Sequence, residues 1–273
     1  MTKYLFVCLI IILFFTLKNN KIEKFYNKNK NKNKNKNKNK NNNNNNNNYD
    51  IRNIVDQVYI INMDKDKDRM SSVDKIMKKL GLNYKRITGV DGNKVYNEYK
   101  KKTKLNPGQL GCLLSHQNIL KDAIKNNYNN ILVLEDDILF HKEFHNEFKK
   151  KYKYLIDREK NYDLIYLGAH QKHNWKDIKL NKHYYNSKKL DGTFAMIINK
   201  SLFNSIFERA NKLDKPIDRI LYYYFQEQKK SFCFNPNIIT AKMNIFSNTE
   251  NKFYNDKKYY EINKIIIKDF MVE

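Results

Sequence analysis

Ile131-Leu-Val-Leu-Glu-Asp-Asp-Ile138 is the stretch that decides how this chain folds. Residues 131–134 are four large apolar side chains in succession, with no polar position among them. Such a run reads as a strand buried on both faces, typical of a parallel sheet core rather than a half-exposed hairpin. Glu135, Asp136 and Asp137 then follow without a spacer. Adjacent carboxylates are costly to desolvate and raise one another's pKa. In open α/β sheets, ligands bind beyond the carboxyl ends of strands, which is where these acids fall. An all-oxygen donor set suits a hard cation, Mg²⁺ or Mn²⁺. The plainer alternative is that the acids only lead the chain into water or favour the start of a helix.

Upstream, Asn106 and Pro107 fit an N-cap and a first helical residue. Leu110, Leu113, Leu114, Ile119, Leu120, Ala123 and Ile124 give the helix that follows a broad buried face. Gly108 and Gly111, one turn apart, would let another backbone come close. His116 sits beside the buried face, a core histidine by default and a catalytic one as the sharper alternative. Earlier still, residues 54–61 read as a strand and 64–69 as a polar loop. Ser71 or Ser72 would cap a helix burying Val73, Ile76, Met77 and Leu80, and Gly81 would stop it. Residues 84–88 add a second strand, closed by Gly89-Val-Asp-Gly92. This strand–helix–strand opening is of the nucleotide-binding kind but has no glycine-rich phosphate loop, so a nucleotide must be held by other means.

Downstream, residues 163–168 and 193–198 read as strands. Between them lies an irregular stretch with His170, His173, Trp175 and His183, where the tryptophan would stack on a sugar or base, or anchor local packing. Residues 201–213 suit a helix, and Pro216 opens another with Asp218 in its first turn, where a carboxylate suits the dipole. Residues 231–234 read as a short strand. The lysine-rich segment 251–273 is amphipathic, suited to packing back on the domain or lying on a membrane.

The net charge of +24 is unevenly spread, because residues 18–49 hold ten lysines against one glutamate. Residues 27–48 alternate asparagine and lysine and end in eight asparagines. With nothing apolar to bury, this tract reads as a disordered tether between residues 21 and 50. It has no arginine and no aromatic residue to stack on bases, which argues against specific nucleic-acid binding. Residues 4–17 are a nearly unbroken apolar run of fourteen, with no small-residue cleavage site after it. They read as an uncleaved signal anchor within residues 1–20, placing the protein on a membrane of the secretory pathway. By the charge bias of the following lysines, however, the domain would stay on the cytoplasmic side. Cys8, Cys112 and Cys233 are too few for a disulfide framework, and their spacing does not resemble a zinc site.

Several short motifs then fall in register: residues 58–62 with Asp68-Arg69, 89–92, 105–112 with Ser115-His116, 133–137, 165–168, 192–195, 216–218 and 247–250. In this order they resemble glycosyltransferase family 25, which includes lipooligosaccharide galactosyltransferases and collagen hydroxylysine galactosyltransferases. Residues 165–168 and 247–250 look more like the collagen-modifying branch, which would have Asp in place of Asn248 and commonly His or Gln where Ala241 and Lys242 stand. The resemblance implies one α/β domain over residues 51–250. Its fold would be glycosyltransferase-A-like (Rossmann-like), a mostly parallel sheet flanked by helices. It implies a hexosyltransferase using a nucleotide sugar, UDP-linked, and a glycan or a collagen-like acceptor. Glu135 and Asp137 would hold Mn²⁺ or Mg²⁺, while Asn62, Arg69, His116 and Asp136 would bind substrate. Asp218, with Asp191 second, would be the catalytic base. The competing classes are a sugar- or nucleotide-binding member without turnover, a metal-dependent nuclease, and a membrane-tethered nucleic-acid-binding protein.

The composition of the tract makes a direct prediction. Binding of the full chain to a fluorescent oligonucleotide should be weak and should collapse between about 50 and about 200 mM salt. Tight, sequence-selective binding at the higher salt, measured by anisotropy, would refute the tether reading.

Overall fold

The computed structural model of the chain describes residues 49–171, 181–243, 245–249, 252–254 and 265–271. The anchor and tether expected before residue 49, and His173 and Trp175, lie outside the described residues. Among the described residues, no helix is long and apolar enough to cross a membrane.

The order of elements follows the hydrophobic pattern. A single helical turn, α1 (Ile51–Ile54), is capped by the Asp50 side chain and precedes β1 (Gln57–Asn62). Next come α2 (Lys67–Leu80), β2 (Lys85–Thr88), α3 (Gly92–Tyr99) and α4 (Pro107–Lys125). After them stand β3 (Asn130–Glu135), β4 (Ile138–Phe140), α5 (Phe144–Glu159) and β5 (Leu164–Gln171). The chain continues through β6 (Tyr184–Asn186), β7 (Leu190–Asn199), α6 (Phe203–Ala210) and α7 (Ile217–Tyr224). It ends in β8 (Ser231–Phe234), β9 (Ile239–Ala241), β10 (Ile245–Ser247) and β11 (Lys252–Tyr254).

Seven strands form the central sheet, in the order β2-β1-β3-β7-β5-β8-β6. The pairs β2–β1, β1–β3 and β5–β8 are parallel, whereas β7 runs antiparallel to both β3 and β5. β6 is antiparallel to β8, so five strands run one way and two the other. Ile131, Leu132, Val133 and Leu134 are fully buried, as the unbroken apolar run required. Strand periodicity sends them alternately to two cores. Leu132 and Leu134 join Val73 and Met77 of α2 and Phe144 and Phe148 of α5. Ile131 and Val133 join Leu110 and Leu113 of α4, Ile206 of α6 and Ile220 of α7. Each such side chain contributes about 1.5–3 kcal/mol by leaving water, which makes β3 the anchor of both layers.

Local signals located several boundaries correctly. Asn106 and Gln109 form a reciprocal capping box at the start of α4, and Gly81 closes α2 in the left-handed conformation at φ 61°. Two expectations need correction. The strand starts at Gln57 rather than Ile54, because Asp50 stabilises a helical turn first. The polar segment 64–69 is partly helical: α2 starts at Lys67, neither serine caps it, and Ser72 is buried. That start is fixed from a distance, since Asn62 donates its side-chain amide to the Asp66 carbonyl at 2.9 Å.

Two further pairings border the acidic end of β3. β4 pairs with β9, and the Lys242 amide donates to the Asp137 carbonyl at 2.7 Å, continuing that ladder. β10 pairs with β11 as a hairpin. At the chain end, Phe270 and Met271 are buried, and the Met271 amide donates to the Phe140 carbonyl at 2.8 Å.

β9 can reach this position only because residue 168 is glycine. A Cβ there would lie 1.8 Å from the Ile239 carbonyl oxygen. Gly168→Ala must therefore push β9 away, and should lower stability by about 3 kcal/mol, the upper end of ordinary overpacking. Chemical denaturation of the two proteins checks this, and equal midpoints would refute it.

Candidate active site

At the carboxyl ends of β1 and β3, a buried polar network fixes the middle acid of the run. Asn62 ends β1 and donates its amide to Asp136 at 2.6 Å. Its carbonyl oxygen accepts from Arg86 Nε at 2.9 Å. Arg69, on the first turn of α2, donates to Asp136 at 3.3 Å and lies 3.8 Å from Asp137. Burial pushes the Asp136 carboxyl up, while Asn62 and Arg69 pull it back down. Asp136 is thus satisfied within the protein, although it lines the same pocket as Glu135 and Asp137.

Glu135 and Asp137 have a different environment. Glu135 accepts a hydrogen bond from the Thr193 hydroxyl at 2.9 Å. Burial raises its pKa strongly, and the charge of Asp137 raises it further. Asp137 is raised by burial and by Asp136, against the lowering influence of Arg69 and Lys242. Two half-buried carboxyls that resist ionising together, and that have oxygen donors turned to a cavity, match a hard divalent cation in charge and donor type. Glu135 and Asp137 are the residues that would hold it.

Both side chains stand in the wall between two pockets. The first is lined by Asn62, Arg69, the 89–93 loop, Gly108, Gly111 and the 247–249 turn. The second is lined by His170, Asp191, Thr193, Phe194, Asp218, Arg219 and Lys242. Glu135, Asp137, Cys112, Ser247 and Thr249 line both. The 247–249 turn packs directly on the start of α4, where a Cβ on Gly108 would lie 2.5 Å from the Thr249 carbonyl oxygen. Asn248 ties this turn to Asp66 through a 2.7 Å hydrogen bond.

Besides Glu135 and Asp137 in the shared wall, the expected site residues fall into three groups. Asn62, Arg69 and Asp136 are joined by hydrogen bonds at the first pocket. Asp191 and Asp218 line the second. Asp191 is buried and paired with Arg219 at 3.1 Å, whereas Asp218 accepts from the Arg219 amide at 2.7 Å. His116 is 3% exposed and lines neither pocket; burial holds its pKa down, at about 4, so the imidazole is neutral. Sequence reasoning missed Thr193, Cys112 and Lys242 as neighbours of the acids, and Arg86 as the partner of Asn62. The glycine pair at 108 and 111 was a signal for the close packing, but nothing local identified the partner.

A model of the family described as glycosyltransferase family 25 (LPS biosynthesis protein) matches residues 55–221. A glycosyltransferase 25 family member of Anopheles gambiae is 30% identical over 128 residues, covering 41% of this chain and 21% of that protein. Human procollagen galactosyltransferase 2 is 27% identical over 132 residues, covering 41% of this chain and 20% of that protein. The chain thus spans about a fifth of the length of these curated relatives. Among solved structures, a glycosyltransferase involved in glycosylation of the major capsid of PBCV-1 aligns with a TM-score of 0.44 at 10% identity. That alignment covers 77% of this chain and 98% of the other.

The acid pair also sets a pH dependence. Both carboxyls are raised in the fold, so the unfolded chain releases their protons at lower pH. Stability without a cation therefore falls as pH rises from the ordinary carboxylate range through the raised values. Glu135→Gln keeps an acceptor for Thr193 and removes one charge. In metal-free buffer it should raise the thermal midpoint at about pH 8, with the gain shrinking toward about pH 5. A lower midpoint at the higher pH would show that the pair is not electrostatically frustrated.

Proposed function

This chain belongs to glycosyltransferase family 25, and from that premise we propose that it transfers a hexose from a UDP-linked donor to a hydroxyl acceptor. The observation that carries the reading is the wall shared by two pockets, with Glu135 and Asp137 in it. The first pocket is the donor side. Its 89–93 loop and the 247–249 turn offer backbone groups to a nucleotide, and Arg69 adds positive charge where phosphates would lie. The donor would be held there without a glycine-rich phosphate loop. A bound divalent cation, Mn²⁺ or Mg²⁺, would act as a Lewis acid that eases departure of the nucleoside diphosphate.

The second pocket is the acceptor side. Asp218 stands on the first turn of α7 and accepts the proton of the incoming hydroxyl as a general base. Asp191 pairs with the Arg219 guanidinium, while the backbone amide of Arg219 holds the Asp218 carboxylate. Thr193 holds Glu135 toward the shared wall. Relatives named procollagen galactosyltransferases support galactose as the sugar and a collagen-like protein as the acceptor. The family description supports a glycan acceptor equally. The apolar run at residues 4–17 supports attachment to a membrane of the secretory pathway.

Two variants separate the roles. In calorimetric titrations UDP should bind wild type more tightly with Mn²⁺ than without, and Asp137→Asn should lose that coupling. Asp218→Asn should bind UDP and Mn²⁺ as wild type does, while transfer to acceptor falls by about 10²-fold or more. UDP affinity indifferent to Mn²⁺, or full turnover by Asp137→Asn, would overturn the reading.

A further inference from the structure

Cys112 and His116 are four residues apart on α4, so they share one face of the helix one turn apart. That face meets the end of β3. The Cys112 thiol, one ring nitrogen of His116 and a carboxylate oxygen of Glu135 all lie within 4.8 Å of one another. The thiol is free. His116 is 3% exposed, and its Nε2 is buried without a hydrogen-bond partner. Buried imidazole nitrogens are ordinarily satisfied, because leaving one unbonded forfeits its hydration without return. A sulfur, a nitrogen and an oxygen donor converging on one point have a different chemistry from the oxygen pair of Glu135 and Asp137. Hard cations do not select thiolate, whereas Zn²⁺ takes all three donor types. Three protein ligands and one open position is also the arrangement of zinc sites that admit a further ligand.

We propose that Cys112, His116 and Glu135 form a binding site for a borderline-soft divalent cation, with Zn²⁺ the best match and its fourth position open toward the pockets. On binding, the thiol proton passes to solvent as the sulfur–zinc bond forms, and His116 coordinates as the neutral ring. Glu135 belongs to this site and to the oxygen pair, so the two cations compete for its carboxylate. Zinc would then act as a brake on a Mn²⁺- or Mg²⁺-dependent reaction. That last consequence rests on the transferase reading, but the site itself does not.

Co²⁺, which reports thiolate ligation through near-ultraviolet charge-transfer absorption, tests the site on the full chain. Titration should produce this band, saturating at about one equivalent, and Zn²⁺ should abolish it by displacement. Cys112→Ser should remove the band, and His116→Gln should weaken Zn²⁺ binding about tenfold or more. Asp137→Asn should retain the band. No band with folded wild type, or a band that survives Cys112→Ser, overturns the proposal. If either variant fails to fold, alkylation of wild type read peptide by peptide decides instead. Zn²⁺ must protect Cys112; a Cys112 that reacts equally with and without Zn²⁺ overturns it. Transfer activity enters none of these readouts, so a protein that binds Zn²⁺ this way but transfers no sugar refutes only the transferase reading.

Discussion

Three carboxylates at the end of a strand with no exposed face form the constraint from which the rest follows. The apolar half of the run can be buried only by covering both faces, which is what the α2/α5 and α4/α6/α7 layers do. The acidic half cannot follow it into that core without partners. The molecule resolves the conflict unequally. Asp136 receives an amide and a guanidinium and becomes structural, whereas Glu135 and Asp137 stay half-satisfied against a cavity. Poor local electrostatics at two positions is thus maintained by good electrostatics at the one between them.

The same division explains how different parts of the chain contribute. Residues up to 137 build the sheet half that carries Asn62, Arg69 and the acids. Residues from 170 onward build the opposite wall, with Asp191, Thr193 and Asp218. β7 makes this possible by running antiparallel. Its beginning, rather than its end, reaches the carboxyl edge of β3, so Thr193 can bond Glu135 at 2.9 Å.

What could be read beforehand was what short-range physics determines. The β3 run, the Asn106 cap and the Gly81 stop are each fixed by neighbours within a few residues, and each was legible. Arg69 reads as a loop residue because the hydrogen bond that starts its helix comes from Asn62, outside the helical pattern. Thr193 and Lys242 lie 58 and 105 positions beyond the acids they touch, with no periodicity to link them. Cysteine spacing along the sequence tests only for several cysteines close together. A cluster that uses one cysteine, a histidine one turn later and a glutamate from a strand leaves no such spacing.

The central position of β3 also has a consequence for how the chain is made. Its two partners are β1, already synthesised, and β7, whose pairing residues 195–199 come about sixty positions later. Until those residues leave the ribosome, residues 131–134 have one strand edge with no hydrogen-bonding partner. An unpaired edge of four apolar residues invites pairing with the same edge of another chain. The nascent protein therefore passes through a window in which residues 131–134, fully buried in the finished fold, form an open strand edge, and the strand order sets how long that window lasts.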